Sequence, residues 1–220
     1  MDDRREGALW TVDAEASLQA VLDDPGCPGL LSQVLTTVRS WQVRNETTVG
    51  RTLRASRLVP QWTAALVTLG ARVAVEGQEE DVGVTTLVRE RIAGDVITLR
   101  VPQHGDRCWG EAHVARTPSD DPIVAALAAI RSSDGTVEEA RVTLTGVSSH
   151  PVWTVDAVDQ LLGQALDSDR IMGVASAVTD EVEPEGDYLG SEAYRRAMAG
   201  VMTRRALEAC AASLRGGEGR

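Results

Sequence analysis

The 220-residue sequence has no phenylalanine, no lysine, two tyrosines and three cysteines. Without Phe the interior must be filled by Val, Leu, Ala and Ile, with five Trp as the large pieces. That constrains packing and says nothing about chemistry. Without Lys all 22 basic residues are Arg, set against 33 acidic residues for a net charge of -11. Such an excess repels a nucleic-acid backbone or an anionic membrane and argues against both as partners. Cys27, Cys108 and Cys210 are widely separated, form no CxxC pair and have no His at ligand spacing, so neither a disulfide framework nor a zinc site is indicated. No apolar run approaches the ~18 residues of a membrane span, and no signal-type stretch follows Met1, so a cytoplasmic protein is expected. GxSxG, HExxH and P-loop motifs are absent, and no catalytic residue can be singled out.

What is present is the composition of an ordinary folding chain, with 43% hydrophobic and 25% charged residues. The length suits one large or two small modules. Residues 16–23 and 29–39 read as short amphipathic helices, the second placing Leu30, Leu31, Val34, Leu35 and Val38 on one face. Gln42 to Leu53 lacks a helical period and reads as a loop at a surface or site. Residues 60–69 return to a helical pattern, while 71–76 and 94–101 read as strands, the latter stopped by Pro102.

From residue 105 the pattern is that of an α+β module. A strand is expected over 107–116, and Ser119 to Pro122 supply a cap and first-turn proline for a helix running to Ile130. Ser133-Asp134-Gly135 is a turn and 139–146 a strand. Helices over 154–162, 168–179 and 191 to about 214 close the chain, with an acidic linker from Glu181 to Asp187 before the last. Residues 215–220 are expected to form a disordered tail.

Several segments, in order, resemble the FAD-carrying medium subunit of the molybdenum hydroxylases, the xanthine dehydrogenase and carbon monoxide dehydrogenase family. Gln42 to Leu53 is similar to that family's "IRN..TIGGNL" segment, and Gly94 to Pro102 to its "GELI..V.VP" strand. Val114 to Asp120 resembles "VARRPSD", and Ser191 to Arg196 with Arg204 to Leu207 resembles the "SAEYRR...RRAL" ending. The resemblance implies an α+β chain: a truncated FAD-binding-like subdomain over 8–104, followed by the family's C-terminal flavoprotein module, a small antiparallel sheet with helices, over 105–214. It also implies an electron-transfer role beside a molybdopterin large subunit and an iron-sulfur small subunit. The FAD-binding residues it points to are Arg44, Asn45, Thr48, Val49, Gly50, Arg51, Thr52, Leu53 and His113, with no metal ligand.

The family pattern begins with a further "AGGTD"-like subdomain that has no counterpart here. Its loss is significant because a pyrophosphate, carrying about two negative charges, is held by converging backbone N–H groups from residues that allow close approach. Within the surviving segment Arg51 stands for the second Gly, Thr52 for Asn, Gln61 for Asp and His113 for Lys. Arg51 can replace a lost amide as a phosphate ligand, or fill the vacated space. Weakened or absent FAD binding by this chain alone is the expectation, unless another chain supplies the missing subdomain. The alternative is a cofactor-free scaffold binding a small molecule in the former flavin cleft, or holding an assembly together, with Arg51, His113 and Arg44 as its polar groups.

His104 and His113 flank a strand and read first as strand-edge histidines, and His150 before Pro151 suits a turn. Asp120 and Asp121 read as helix-start carboxylates. The Arg pairs of the last helix read as a solvated face meeting Glu181, Glu183 and Glu185. Trp41 and Trp62 read as core packing beside the 42–53 segment.

Overall fold

Pro60 fixes the backbone for a helical first turn, and the apolar residues behind it have no polar face to interrupt them. The result is a helix buried on every side at the centre of the first of two units. The computed structural model describes residues 8–37, 41–117 and 120–217. One unit ends at Gly105 and the other begins at Asp106.

The first unit contains β1 (Leu9–Asp13), α1 (Leu18–Asp23), α2 (Gly29–Thr37), α3 (Trp41–Glu46), α4 (Val49–Arg54), α5 (Pro60–Thr68), β2 (Arg72–Val75), β3 (Val82–Gly83), α6 (Val84–Glu90) and β4 (Val96–Pro102). Its sheet is antiparallel in the order β1-β4-β2-β3. Leu99 of β4 lies opposite both Val12 and Val73, so the alternate residues of three strands form one apolar row. The buried helix is α5, with Trp62, Ala64, Ala65 and Leu66 fully enclosed. Ser17 starts α1 by accepting a hydrogen bond from the Ala20 amide at 3.1 Å. Leu30, Leu31, Val34 and Leu35 form the buried face of α2, and Val38 lies outside the described residues. Gln42 to Leu53, expected as a loop, folds instead into α3 and α4. Strand β4 also includes Pro102, where the sequence pattern stops it.

The second unit is a meander of β5 (Arg107–Val114), β6 (Val124–Ser133), β7 (Thr136–Thr145) and β8 (Trp153–Thr154), in that order. A 3-10 helix (Asp156–Leu161), α7 (Ser168–Glu181) and α8 (Glu192–Gly217) follow. Val124, Ala126, Ala128 and Ile130 of β6, with Val142 and Leu144 of β7, pack into one core with Ile171, Val174 and Val178 of α7 and Met202, Ala206 and Leu207 of α8. Asp134 and Gly135 both adopt positive φ, the conformation that a tight Asp-Gly turn requires between β6 and β7.

The helix expected from 119 to Ile130 is a strand. β6 is buried on both faces from Val124 to Ile130, so it carries no alternation, and its four alanines give it a helical composition. Pairing on both sides, with β5 and β7, overrides that local preference. Asp120 and Asp121 therefore precede a strand and cap no helix; Ser119 lies outside the described residues. At the other end, α8 continues through Arg215 to Gly217, past the start of the expected tail.

The first arginine pair of α8 differs from expectation, whereas Arg204 and Arg205 lie on an exposed face. Arg195 is buried, 6% exposed, and its guanidinium bonds Asp187, the Ile123 carbonyl and the Gly146 carbonyl. Arg196 donates to the carbonyls of Thr179 and Val182 and to Glu192. Glu181 instead accepts from Trp153 Nε1 and from the amides of Asp156 and Ala157, capping the 3-10 helix.

Candidate functional site

Thr48 organises the segment that the sequence singles out. Its extended backbone lets the side-chain oxygen accept from the Arg51 amide at 3.3 Å, which starts α4. Thr48 also forms an antiparallel bridge with Ser17. Around it the backbone bonds run inward. The Thr47 carbonyl accepts from the Leu18 amide at 2.9 Å, the Val49 amide donates to the Ala16 carbonyl at 3.0 Å, and the Gly50 amide donates to the Ala14 carbonyl at 2.8 Å. The Thr52 amide donates to the Thr48 carbonyl, and its hydroxyl to the Val49 carbonyl at 2.7 Å.

The amides of Val49, Gly50, Arg51 and Thr52 are thus all committed within the chain. A Cβ added at Gly50 would sit 3.2 Å from Ala14 Cβ and 3.3 Å from its carbonyl oxygen. Close packing of α4 on the segment after β1 explains this glycine without a ligand. Val49, Thr52 and Leu53 are buried and serve the core. Arg44 donates to Gln19 Oε1 at 2.9 Å, and Asn45 to the Trp41 carbonyl at 2.8 Å. Arg51 projects an exposed side chain that has no partner among the described residues. Trp62 is fully buried and Trp41 is 67% exposed, so only Trp62 packs the core.

His113 belongs to the other unit, on the face of β5 that points away from α8. Its Nδ1 lies 2.6 Å from Glu111 Oε1, two residues earlier on the same face. The hydrogen bond to Glu111 raises its pKa above the ordinary value, against the opposing effect of partial burial. His113 sits opposite Ala125, which sits opposite Thr145, so the three share one row. The Thr145 hydroxyl is buried without a partner. Sequence reasoning missed Glu111 and Thr145; the spacing of two along β5 is the signal that finds Glu111. A pH titration of the His113 ring by NMR is expected to give a midpoint above the ordinary histidine value near 6.5. In Glu111→Gln the midpoint should fall, because the carboxylate that favours the charged ring is gone and only desolvation remains. An unchanged midpoint would remove Glu111 from the site.

Three further arginines of this sheet, Arg107, Arg131 and Arg141, converge on Glu139 and are used inside the fold. They hold the Glu139 carboxyl below its usual range against burial, which acts in the opposite direction. Among the described residues no group of three or more His, Cys, Asp or Glu could hold a metal, and no helix is long and apolar enough to cross a membrane.

A pyrophosphate needs several N–H groups turned toward it. The amides of residues 49–52 do not meet that demand, since they face the chain itself. Taken alone, the segment does not fit a dinucleotide.

Comparison with known proteins places both units. Residues 112–210 match the family model of the CO dehydrogenase flavoprotein C-terminal domain. The glyceraldehyde dehydrogenase medium chain of Sulfolobus acidocaldarius is 23% identical over 81% of this chain and 66% of its own length. The carbon monoxide dehydrogenase medium chain of Hydrogenophaga pseudoflava is 26% identical over 94% of this chain and 76% of its own length. The solved carbon monoxide dehydrogenase of Hydrogenophaga pseudoflava, described as lacking the Mo-pyranopterin moiety of the molybdenum cofactor, superimposes with a TM-score of 0.83 at 25% identity, over 95% of this chain and 77% of that one. The mixed α+β fold with two small antiparallel sheets is therefore that of a carbon monoxide dehydrogenase medium chain. Residues 112–210 are thus similar to the CO dehydrogenase flavoprotein C-terminal domain, and the chain resembles the medium subunits of the molybdenum hydroxylases.

Proposed function

We propose that this chain acts in the FAD-type electron-transfer component of a molybdenum hydroxylase-like oxidoreductase, and that it does not hold the dinucleotide by itself. The observation that carries the second part is the inward hydrogen bonding of residues 49–52. Phosphate-facing amides then come from polypeptide other than these residues. In the first unit this chain offers the Arg51 side chain as a phosphate ligand, and in the second unit the His113–Glu111 pair is the candidate polar group. A molybdopterin large subunit and an iron-sulfur small subunit are the partners that this resemblance suggests. The same committed amides also favour a second reading, a cofactor-free scaffold with a small-molecule site or an assembly role. Retention of flavin in the assembled complex separates the two.

The test is flavin titration of the chain alone and of the complex with its partner subunits. The chain alone should be colourless after desalting and show no thermal shift with FAD, whereas the complex should retain flavin. Arg51→Gly should weaken FAD binding by the complex on the order of tenfold to a hundredfold, the value of a charge-assisted contact. A gain of affinity in Arg51→Gly would identify the side chain as an obstruction. A complex without flavin would favour the scaffold.

A further inference from the structure

We propose that Cys108 and Cys210 form an oxidisable dithiol, which a peroxide converts into a disulfide tying β5 to α8. The two residues are 102 positions apart, and nothing in their spacing pairs them. The fold does. Cys108 lies on the face of β5 that packs against α8, and Gly110, two residues on, lies on the same face. At Gly110 the helix backbone comes so close that an added Cβ would sit 2.1 Å from the Ala206 carbonyl oxygen. Cys210 is one helical turn beyond Ala206.

Both thiols turn to neighbouring carbonyls of β6. Cys108 Sγ donates to Ile130 at 3.3 Å, and Cys210 Sγ to Ala128 at 3.8 Å. The two accepting carbonyls are two residues apart on β6, so both thiols are held against the same stretch of that strand. All three cysteines are free thiols in this structure, and Cys27 belongs to the other unit.

The surroundings of Cys108 and Cys210 distinguish two roles. The Cys108 pKa is lowered and that of Cys210 is pushed well up, the neighbouring thiol being the first cause of each and burial adding to the rise at Cys210. Cys108 is also the more accessible thiol, 8% exposed against 0%. As a thiolate, Cys108 Sγ attacks one oxygen of hydrogen peroxide. An S–O bond forms, the O–O bond breaks, and one water leaves after protonation, giving a sulfenic acid. Cys210 Sγ then attacks Cys108 Sγ; the S–S bond forms, the S–O bond breaks, and a second water leaves. The two thiols together lose two electrons and two protons, and the peroxide receives them. The product locks the edge strand β5 to the last helix.

The experiment exposes the full chain to hydrogen peroxide, quenches in acid, alkylates under denaturing conditions and maps the peptides by mass. The expected result is one cross-linked pair containing Cys108 and Cys210, two hydrogens lighter than the separate peptides and restored by dithiothreitol. The unfolding midpoint of the oxidised chain should rise by more than about 5 °C. In Cys210→Ala no rise should occur, and Cys108 should proceed to sulfinic acid. Separate alkylation of Cys108 and Cys210 in the treated wild-type chain would overturn the proposal. So would their recovery as sulfinic acids or in disulfides between chains. The wild-type map decides the matter even if the variant fails to fold.

Discussion

Replacing Arg195 with Ala is expected to destabilise the second unit by roughly 3–5 kcal/mol, among the largest effects of any single polar substitution in the chain. One guanidinium joins three places. Nη1 donates to Ile123 at 2.8 Å and to Gly146 at 2.9 Å, and Nη2 donates to both Asp187 oxygens at 2.8 Å. Gly146 has positive φ, and a Cβ there would sit 2.0 Å from the Ile123 carbonyl oxygen, so the ends of β6 and β7 meet where the arginine binds them. Truncation leaves two carbonyls without a donor and a cavity where the side chain was. Lysine should recover only part of the loss, because one ammonium cannot span both carbonyls and the carboxylate in fixed geometry. The urea midpoint, with an unchanged slope, is the readout; a midpoint close to wild type would contradict this role.

The same contact makes a pH signature. The hydrogen bond from Arg195 is the main cause of the lowered Asp187 pKa. The folded pKa is below the unfolded one, so the contribution is present above the unfolded value, near 3.8, and is lost as pH falls through the lowered folded value. Arg195→Ala should reduce that acid-side loss, leaving the part that the Leu189 and Gly190 amides cause.

Gly110→Val is expected to cost about 3 kcal/mol or more, or to prevent the second unit from folding. The atoms an added Cβ would meet are the Ala206 carbonyl oxygen at 2.1 Å and Ala209 Cβ at 2.9 Å. Neither can swing away, so α8 must lift from β5. Gly173→Ala is the matched control. It lies in α7 with nothing within 4 Å of the added Cβ, and should be neutral or stabilising by up to about 1 kcal/mol. Thermal or urea unfolding of the two variants checks the contrast, and equal stability would show that β5 and α8 are not in tight apposition.

How far the sequence reveals this fold depends on whether local and long-range preferences agree. α2 and α8 carry their periodicity openly, α5 is marked by Pro60 at its start, and the Asp134-Gly135 turn follows from its residues. β6 was misread because full burial on both faces removes the alternation that marks a strand. The 42–53 segment was misread because its two helices are six residues each, too short to show a period. β1 went unread, since Leu9–Asp13 offers only Trp10 as a buried residue. In the candidate site, Arg51 is visible in the sequence as a departure from glycine. The direction of the neighbouring amides is not, because the acceptors of Val49 and Gly50, Ala16 and Ala14, lie more than thirty residues upstream in the turn between β1 and α1. The same holds for Cys108 and Cys210, joined only by the packing of a helix on a strand.

NMR of the purified chain, following amide exchange and chemical shifts of residues 49–52 as FAD is added, tests most directly whether these N–H groups are already committed. Amides bonded to Ala14 and Ala16 predict slow exchange for Val49 and Gly50 before any ligand is present, and no saturable shift as FAD is added. Fast exchange in the free chain, with saturable shifts of the same amides at micromolar FAD, would contradict it.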